Sequence, residues 1–378
     1  MSTGVLVIGG AGTFGRRLVR GLIATTDLDV VIAGREIERV TAFADEMRAG
    51  RRANRARARA LRVDANTVAP DQLRRSGTFV VVDAAGPFQG GDYRLTKAVI
   101  AAGLHYIDLA DARDFVAGFP HLDPAARKAG VVALTGASST PALSNAALDR
   151  LTAGWRGIDT VEIAISPGNR APRGLAVVRS ILSYTGRPVR VFHEGHWVSR
   201  PGWGMTTRRT MRGLGKRWIS LCDAPDLDIV PQRFGVRRSA VFRAGLELSI
   251  LHLGLLAASL PVRLGLLPSL APFSRLFRNA ADLFTPFGTD CGGMVVTATG
   301  LAADGEPIRS TWTLVAEAGD GPFIPTLPAL AAIRALADGR LNRTGAIVCA
   351  GLLDFDAIER EFAPYRITSH IETERPNR

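Results

Sequence analysis

Residues Val5–Leu22 read VLVIGGAGTFGRRLVRGL, an apolar run that ends in glycines and continues at once into an amphipathic stretch. Val5–Ile8 has the length and composition of a buried parallel strand. The glycines fit the pattern G-x-G-x-x-G. In that pattern Gly10 would make the tight turn, Gly12 would let the backbone approach a pyrophosphate, and Gly15 would let a helix pack on the strand. The stretch therefore predicts a strand–turn–helix unit of the kind that binds a dinucleotide.

The helix after the glycines would point its amino terminus at the bound phosphates. Free N–H groups and a partial positive charge at a helix amino terminus favour anions. Apolar residues recur with the helical period on one face of this stretch, namely Leu18, Val19, Leu22 and Ile23. The candidate cofactor-binding residues of the turn are Gly10, Gly12, Thr13, Phe14 and Gly15. The alternative is a glycine-rich turn that binds no ligand.

The end of the second predicted strand, Asp29–Glu36, indicates which dinucleotide binds. An Asp or Glu at this position would hydrogen-bond the ribose 2′-hydroxyl of NAD. The chain has Gly34 and Arg35 instead, which leave room for a 2′-phosphate and supply a planar guanidinium to pair with it. Glu36 is the counter-argument, because a carboxylate one residue later could serve NAD. We expect NADP, with NAD as the alternative.

Further strands complete the predicted sheet, and ligands of open α/β sheets bind at the carboxyl ends of the strands. These strands lie within residues 60–66, 79–89, 103–111 and 130–151. Asp64 would approach the adenine, or else form a loop or cap. The residues expected against the nicotinamide half are small or rigid, and they are Ala84, Ala85, Gly86 and Pro87.

Carboxylates after the fifth predicted strand are the candidate catalytic groups. Asp108 and Asp111 could transfer a proton or bind an ammonium group, and Tyr106 precedes them on the same strand. The alternatives are that Asp108 caps or bonds a neighbouring loop and that Tyr106 points into the core. The candidate substrate contacts are Phe88, Arg113, Ser138, Ser139 and Thr140.

Composition bears on partners and compartment. The formal net charge is +12, but only three of the 47 basic residues are lysine, which indicates a compositional bias rather than a nucleic-acid surface. The densest basic run, Arg51–Arg62, has no aromatic residue on which a base could stack, so we expect a solvated connection and no nucleic-acid partner. Three widely spaced cysteines and no evident signal peptide are typical of a cytoplasmic protein. His193 and His196 flank a predicted turn, so we expect no metal site.

The second half of the chain predicts a mixed α+β region. Hairpins are expected around Glu194–Gly195 and Asp304–Gly305. Residues Ala244–Phe277 are strongly apolar, but charged residues and prolines interrupt them and the uncharged run is too short to span a bilayer. A buried helical hairpin is the favoured interpretation. A membrane-surface helix or an apolar substrate surface is the alternative.

Several of these segments together resemble the saccharopine dehydrogenase-like oxidoreductases. They are VIGGAGTFG, IAGRE, DAAGPF, GLHYIDLAD and TGASSTPALSNAALD, together with the more weakly similar Ser310–Asp354. The resemblance implies an α/β fold with a Rossmann-type doubly wound parallel sheet in residues 1–145. It also implies an inserted α+β substrate and dimerisation domain in 146–324, with the apolar helical segment at 244–277. Residues 325–378 would return to pack on the Rossmann domain.

The resemblance also implies an NADP(H)-dependent enzyme that transfers hydride at a C–N bond of a small substrate and works as a homodimer. Two other functions stay open at this point. One is a reductase of an apolar or lipid-linked C=C or C=O substrate, which would suit the apolar segment 244–277. The other is an NADP-binding sensor or scaffold without chemistry, since a fold alone does not fix a function.

Overall fold

A computed structural model describes residues 4–49 and 58–375 of the chain. Most of the predicted connection Arg51–Arg62 therefore lies outside the described residues. The first nine strands are β1 (Gly4–Ile8), β2 (Asp29–Gly34), β3 (Ala58–Arg62), β4 (Thr78–Asp83), β5 (His105–Asp108), β6 (Val132–Thr135), β7 (Gly157–Ser166), β8 (Pro188–His193) and β9 (His196–Pro201). The others are β10 (Thr207–Met211), β11 (Gly215–Leu221), β12 (Ser239–Ala244), β13 (Gly292–Leu301), β14 (Pro307–Ala316), β15 (Gly345–Val348) and β16 (Ile367–Glu374).

The α-helices of the described residues alternate with strands in the first part of the chain and become irregular later. The first seven are α1 (Gly15–Thr25), α2 (Ile37–Ala49), α3 (Pro70–Arg74), α4 (Arg94–Ala101), α5 (Arg113–Gly118), α6 (Asp123–Lys128) and α7 (Ser144–Leu151). The next seven are α8 (Leu175–Tyr184), α9 (Asp226–Arg233), α10 (Ser249–Ala258), α11 (Leu260–Arg263), α12 (Ser274–Asp282), α13 (Leu327–Ala337) and α14 (Phe355–Glu359).

The first of two compact units contains residues 1–143 and 323–353. Its seven strands form a parallel sheet in the order β15-β6-β5-β4-β1-β2-β3. Parallel sheets bury both faces, so their central strands are apolar throughout, and all five residues of β1 are buried. The order runs outward from β1 in both directions, as in a doubly wound sheet. The predicted Rossmann-type fold is confirmed.

Helices cover this sheet with the residues that the periodicity indicated. Helix α1 buries Leu18, Val19 and Leu22. Helix α13 is apolar on nearly every side, and eight of its eleven residues are buried. Arg334 at its end donates a hydrogen bond of 2.6 Å to the Thr25 carbonyl at the end of α1. The late segment is thereby joined to the first helix of the unit.

The second unit contains residues 144–322 and 354–378 and is built on a mixed sheet. Its main strand order is β10-β11-β12-β7-β13-β14-β16, and β8 joins through β12 and carries β9. Both expected hairpins are present. Glu194 and Gly195 have positive φ (54° and 84°) between β8 and β9, as a two-residue hairpin turn requires. Asp304 and Gly305 (φ +88°) connect β13 and β14.

The carboxyl-terminal segment, expected to pack as a whole on the Rossmann domain, divides between the two units. Residues 323–353 belong to the first unit, and β15 extends its parallel sheet beside β6. Residues 354–378 belong to the second unit, where β16 pairs antiparallel with β14. The sequences explain the division, because GAIV suits a parallel strand whereas ITSHIETE is mostly polar and exposed, as an edge strand is.

The apolar segment Ala244–Phe277 is helical, as expected, but it is not the buried hairpin that we favoured. Its large side chains include Ile250, Leu264 and Leu266, whose exposed fractions are 63%, 72% and 73%. In the described part of the chain, no helix combines the length and apolar character needed to cross a membrane. High hydropathy therefore marks a water-exposed apolar surface here.

Replacing Gly15 tests how tightly α1 is seated on β1. A Cβ at this position would lie 2.7 Å from the Gly10 Cα and closer still to the Gly9 carbonyl oxygen, both backbone atoms. We expect Gly15→Ala to lower the free energy of unfolding by about 1–3 kcal/mol or more in urea titrations. Gly254→Ala is the matched control, because nothing lies within 4 Å of the added Cβ in helix α10. That variant should be unchanged or slightly more stable, and equal losses in both variants would contradict the packing argument.

Candidate functional site

The glycine turn is held by contacts between backbone atoms. Gly9 has φ +74°, and a Cβ there would lie 2.8 Å from the backbone of Ala85. The left-handed residue of the turn is thus Gly9, not Gly10 as the pattern suggested. Gly10 is glycine because a Cβ would meet the Ile32 side chain at 2.8 Å, and its N–H donates to the Ala33 carbonyl (3.1 Å).

The other predicted residues of the turn lie where a phosphate could approach. Gly12, Thr13 and Phe14 are half-buried, and a Cβ on Gly12 would meet only the Gly9 carbonyl oxygen, at 3.0 Å. Phe14 precedes helix α1 without a side-chain cap, and the first turn of α1 has no acidic residue. Its amino terminus therefore keeps the positive end of the helix dipole available to an anion.

Two arginines flank the end of β2. Arg35 is exposed and directly follows Gly34, where a side chain would crowd Val40 at 3.1 Å. Arg39, also exposed, extends from α2 to donate a hydrogen bond of 3.1 Å to the Ala11 carbonyl in the glycine turn. We had singled out Arg35 but not Arg39. The available signal was its position in the first turn of the helix that follows β2, close in sequence to Arg35.

Asp64 follows β3 and accepts a hydrogen bond from the Asn66 N–H (3.0 Å). Its carbonyl also accepts from the N–H groups of Thr67 and Val68. This is the loop-forming role given above as the alternative, because an Asp side chain readily bonds the backbone two residues on. The residue is half-exposed, so its proposed approach to adenine remains a prediction.

The loop after β4 presents its small residues to solvent. The Ala84 N–H donates to the Ile8 carbonyl (2.9 Å), which fixes this loop beside the glycine turn. Ala85, Gly86 and Pro87 are exposed. Phe88 is only 9% exposed and packs against Phe115, with ring centroids 5.3 Å apart. Phe88 thus supports the loop from beneath, and its contact with substrate stays a prediction.

Asp108 is inaccessible to water and organises the end of β5. Its Oδ1 accepts hydrogen bonds from the N–H groups of Ala110 (3.0 Å) and Gly136 (2.8 Å) and from the Thr135 hydroxyl (3.0 Å). Burial raises the pKa of Asp108 to about 7, and the nearby negative charge of Asp83 adds to that shift. The loop-bonding alternative therefore describes the geometry of Asp108 better than a direct catalytic role.

Tyr106 lies in the core, which corrects its assignment as a catalytic residue. The residue is fully buried, and its ring stacks on Phe119 at a centroid distance of 6.0 Å. Burial raises the pKa of its hydroxyl well above the ordinary value. Side chains two residues apart on a strand share a face, so Tyr106 and Asp108 lie on the same face of β5. That face is covered by other residues of the protein and does not contact solvent.

Asp111 is the one predicted catalytic residue that is exposed. Its Oδ1 accepts a hydrogen bond of 3.3 Å from the Gln89 amide, at the end of the loop after β4. Desolvation by the surrounding protein raises the pKa of Asp111 above its ordinary value. An accessible carboxyl can exchange a proton with a bound substrate, as a general acid or base must.

The remaining candidates are covered to different degrees. Arg113 is half-buried at the start of α5. Ser138, Ser139 and Thr140 are only 5%, 8% and 7% exposed, and their contact with substrate stays a prediction. They are covered because the chain turns tightly after β6, where the Leu143 N–H bonds the Ser138 carbonyl. The described residues contain no group of three or more His, Cys, Asp or Glu side chains that could hold a metal ion.

These features fit a dinucleotide. A left-handed glycine between strand and helix, an uncapped helix amino terminus and exposed arginines at the end of the second strand are the three elements that a pyrophosphate and a 2′-phosphate require. The geometry therefore defines a nucleotide-binding α/β protein with its candidate site at the carboxyl ends of β1, β2, β4 and β5.

Comparison with known proteins narrows the class. Residues 5–135 match the family described as saccharopine dehydrogenase NADP binding domain. The apo histidine-tagged saccharopine dehydrogenase (L-Glu forming) from Saccharomyces cerevisiae is similar in structure, with a TM-score of 0.70 and 14% identity over 98% of this chain and 100% of that chain. Among curated proteins, none matches the chain in sequence.

Two other solved structures are more distant. A UDP-N-acetylglucosamine 3-dehydrogenase from Acidithiobacillus ferrooxidans has a TM-score of 0.42 and 12% identity over 95% of this chain and 94% of its own. A dehydrogenase from Chromobacterium violaceum has a TM-score of 0.42 and 10% identity over 96% of this chain and 94% of its own.

Residues 5–135 therefore match the saccharopine dehydrogenase NADP binding domain family, and the chain has the fold of saccharopine dehydrogenase. The resemblance stated from the sequence is confirmed. The family match also agrees with the expected nicotinamide cofactor and the oxidoreductase class.

The buried carboxyl of Asp108 should make stability depend on pH. Its pKa rises from 3.8 to about 7 on folding, so its stabilising contribution is complete below about pH 4 and is lost as pH rises through about 7. The upper limit of this loss is on the order of 4 kcal/mol. Urea titrations at pH 5 and pH 8 should show a smaller fall in stability for Asp108→Asn, which keeps the Oδ1 acceptor, than for the wild type. Asp114→Asn on exposed α5 should retain the wild-type slope, and an equal slope in all three proteins would contradict the argument.

Proposed function

We propose that the protein is an NADP(H)-dependent oxidoreductase that transfers hydride at a C–N (amine or imine) bond of a small substrate. One observation carries the proposal: an accessible carboxyl, Asp111, is tied through Gln89 to the loop that borders the glycine turn. The site therefore joins a group able to handle a proton to a binding cradle for a dinucleotide. Oxidation and reduction at a C–N bond require both.

The cradle would hold the cofactor through backbone more than through side chains. The N–H groups at the start of α1 would bind the pyrophosphate, with Gly12 allowing its approach. The exposed small residues Ala85 and Gly86 would lie along the nicotinamide half. When bound, the nicotinamide supplies or accepts the hydride.

Arg35 and Arg39 support NADP over NAD. Both are exposed and close to the end of β2, where the adenosine ribose would lie. Guanidinium groups form bidentate, charge-assisted hydrogen bonds with phosphate. Because Arg39 already reaches the Ala11 carbonyl in the turn, it would bring a second positive charge to the 2′-phosphate. Glu36 is exposed beside them and is the group that would serve NAD instead.

Asp111 would handle the proton. In the reducing direction its protonated carboxyl would donate from Oδ2 to the substrate nitrogen, while the hydrogen bond from Gln89 keeps Oδ1 oriented. In the oxidising direction the carboxylate would accept that proton. Its raised pKa keeps both forms available closer to neutrality than an ordinary Asp allows.

A reductase of an apolar or lipid-linked C=C or C=O substrate is the second candidate. The exposed apolar side chains of residues 249–287 favour it, because such a surface can meet an apolar compound. A sensor or scaffold that binds NADP without chemistry is the third. We include in the proposal a cytoplasmic homodimer with contacts through the second unit, as the family resemblance implies.

Cofactor titrations test the assignment to NADP. We expect NADPH to bind more tightly than NADH, and Arg35→Ala and Arg39→Ala each to weaken NADPH binding by about ten- to a hundredfold, because each loses a charge-assisted bond to phosphate. NADH affinity should be unchanged. Arg48→Ala is the matched control, on the same helix but in an exposed ion pair with Asp45. Equal binding of both cofactors by the wild type would assign the ribose contact to Glu36.

The role of Asp111 can be tested on substrates that NADPH reduces. The panel pairs aldehydes with amino acids to form imines, and adds apolar ketones and enones. We expect turnover with the imine pairs and a fall in kcat of about 10²- to 10⁴-fold in Asp111→Asn with unchanged NADPH affinity. Asp114→Asn, also acidic and exposed in the same region, should keep the wild-type rate. Turnover of the apolar carbonyl compounds alone would favour the second candidate, and NADPH binding without any turnover would favour the third.

A further inference from the structure

The second unit has a helical layer whose outer side is apolar. Helices α8, α10, α11 and α12 and their connections, residues 175–184 and 249–287, form this apolar layer. Hydrogen bonds join its parts to one another and to the residues before α8: the Ser269 hydroxyl donates to the Leu182 carbonyl (3.5 Å), and the Asn169 amide donates to the Phe284 carbonyl (2.6 Å). Gly186 lies against Val262, so closely that a Cβ would be 2.8 Å away. The exposed residues of the layer therefore belong to one surface.

Exposed large apolar side chains are concentrated in this layer. Of the twelve in the described residues, nine lie in 249–287: Ile250, Leu253, Leu260, Leu264, Leu266, Phe273, Leu276, Leu283 and Phe287. The exposed fractions of the last two are 75% and 74%, so these side chains project fully into solvent. Scattered exposed leucines are normal, but nine in one segment of 39 residues mark an interaction surface.

Helices α10 and α11 show that the exposure is regular. Ile250, Leu253, Ala257, Leu260 and Leu264 follow one another at spacings of three and four residues, and all five are exposed. That spacing places them on one face of a helix. The opposite face, with His252 and Leu255, is buried in the unit. No charged residue occurs from 249 to 262. The helix pair thus has two apolar faces, one packed and one open.

The charges around the apolar layer have one sign. Residues 170–187 contain four arginines and no acidic residue. Residues 249–287 contain three arginines, Arg263, Arg275 and Arg278, and a single acidic residue, Asp282. Long arginine side chains can keep their guanidinium groups in a polar headgroup region while neighbouring apolar residues enter the region below. Asp282 pairs with Arg173 and Arg278, so the two segments keep a net positive charge that favours an anionic partner.

We propose that the apolar layer docks on an anionic lipid surface, with its leucines and phenylalanines at the acyl boundary and its arginines among the phosphate headgroups. The helices lie in the interface and do not span it, in keeping with their length. A second copy of the chain is a poorer partner, because a two-fold interface would set the same arginine-rich surface against itself. Lipid supplies the opposite charge and needs no shape complementarity to the projecting side chains.

Vesicle sedimentation tests the proposal with the full chain. We expect the wild type to bind phosphatidylcholine vesicles that contain about one third phosphatidylglycerol, to bind pure phosphatidylcholine much less, and to be released by salt. Leu264→Glu/Leu266→Glu should weaken binding at least about tenfold by removing the apolar contact. Arg179→Gln/Arg275→Gln, both exposed positions, should weaken binding to the anionic vesicles by roughly twentyfold, since each arginine contributes about fivefold.

Ile371→Glu is the matched control, because Ile371 is exposed on β16 of the same unit but outside the apolar layer. It should bind vesicles as the wild type does. Circular dichroism and melting curves of all variants show whether each has folded. Wild type that fails to bind the anionic vesicles overturns the proposal. Light scattering that shows a dimer converted to monomers by Leu264→Glu/Leu266→Glu also overturns it, in favour of a second copy as the partner.

Discussion

The backbone contact between Gly9, Gly15 and the loop after β4 is the constraint on which the candidate site depends. A side chain at Gly9 would overlap the backbone of Ala85, and one at Gly15 would overlap that of Gly9 and Gly10. Only glycine lets strand, helix and loop approach this closely. The approach sets the amino terminus of α1 beside the exposed loop Ala85–Pro87, so that one end of the sheet presents both backbone donors and open small residues.

Carboxylates organise the neighbouring strand ends by a different principle. Asp83 and Asp108 are opposite each other on β4 and β5, and each accepts backbone hydrogen bonds from the loop that follows its strand. Burial raises their pKa values to about 6 and about 7. The loops are therefore fixed at the cost of keeping two poorly solvated carboxyls side by side. Asp111 stands apart from this pair because it is exposed, and that accessibility gives it the proton-transfer role in the proposed reaction.

The two units show opposite treatments of apolar residues. In the first, the apolar strands and α13 are enclosed by the doubly wound arrangement, which leaves function to backbone groups and a few polar side chains. In the second, helices α10 and α11 pack one side inward, with Leu255 and Val262, and leave the other in water. Leaving so much apolar surface in water is unfavourable. Docking on an anionic lipid surface, as proposed above, would remove these side chains from water and place the neighbouring arginines among headgroups of opposite charge.

Local patterns in the sequence determined the strand–turn–helix unit, both hairpins, the parallel sheet and Arg35 as the candidate phosphate ligand, because each rests on neighbouring residues and on strict backbone requirements. Burial was beyond such patterns. Whether Tyr106, Phe88 or Ser138–Thr140 meets solvent depends on which elements cover a strand end, and Arg39 became a candidate only because the path of α2 carries it back to Ala11. The apolar run 244–277 shows the same limit. Its composition indicates that these residues favour burial, but it does not indicate whether the rest of the protein or a partner covers them. The chain alone thus fixed the backbone of the site, and the tertiary structure decided which side chains can act, because exposure is set by contacts between residues distant in sequence.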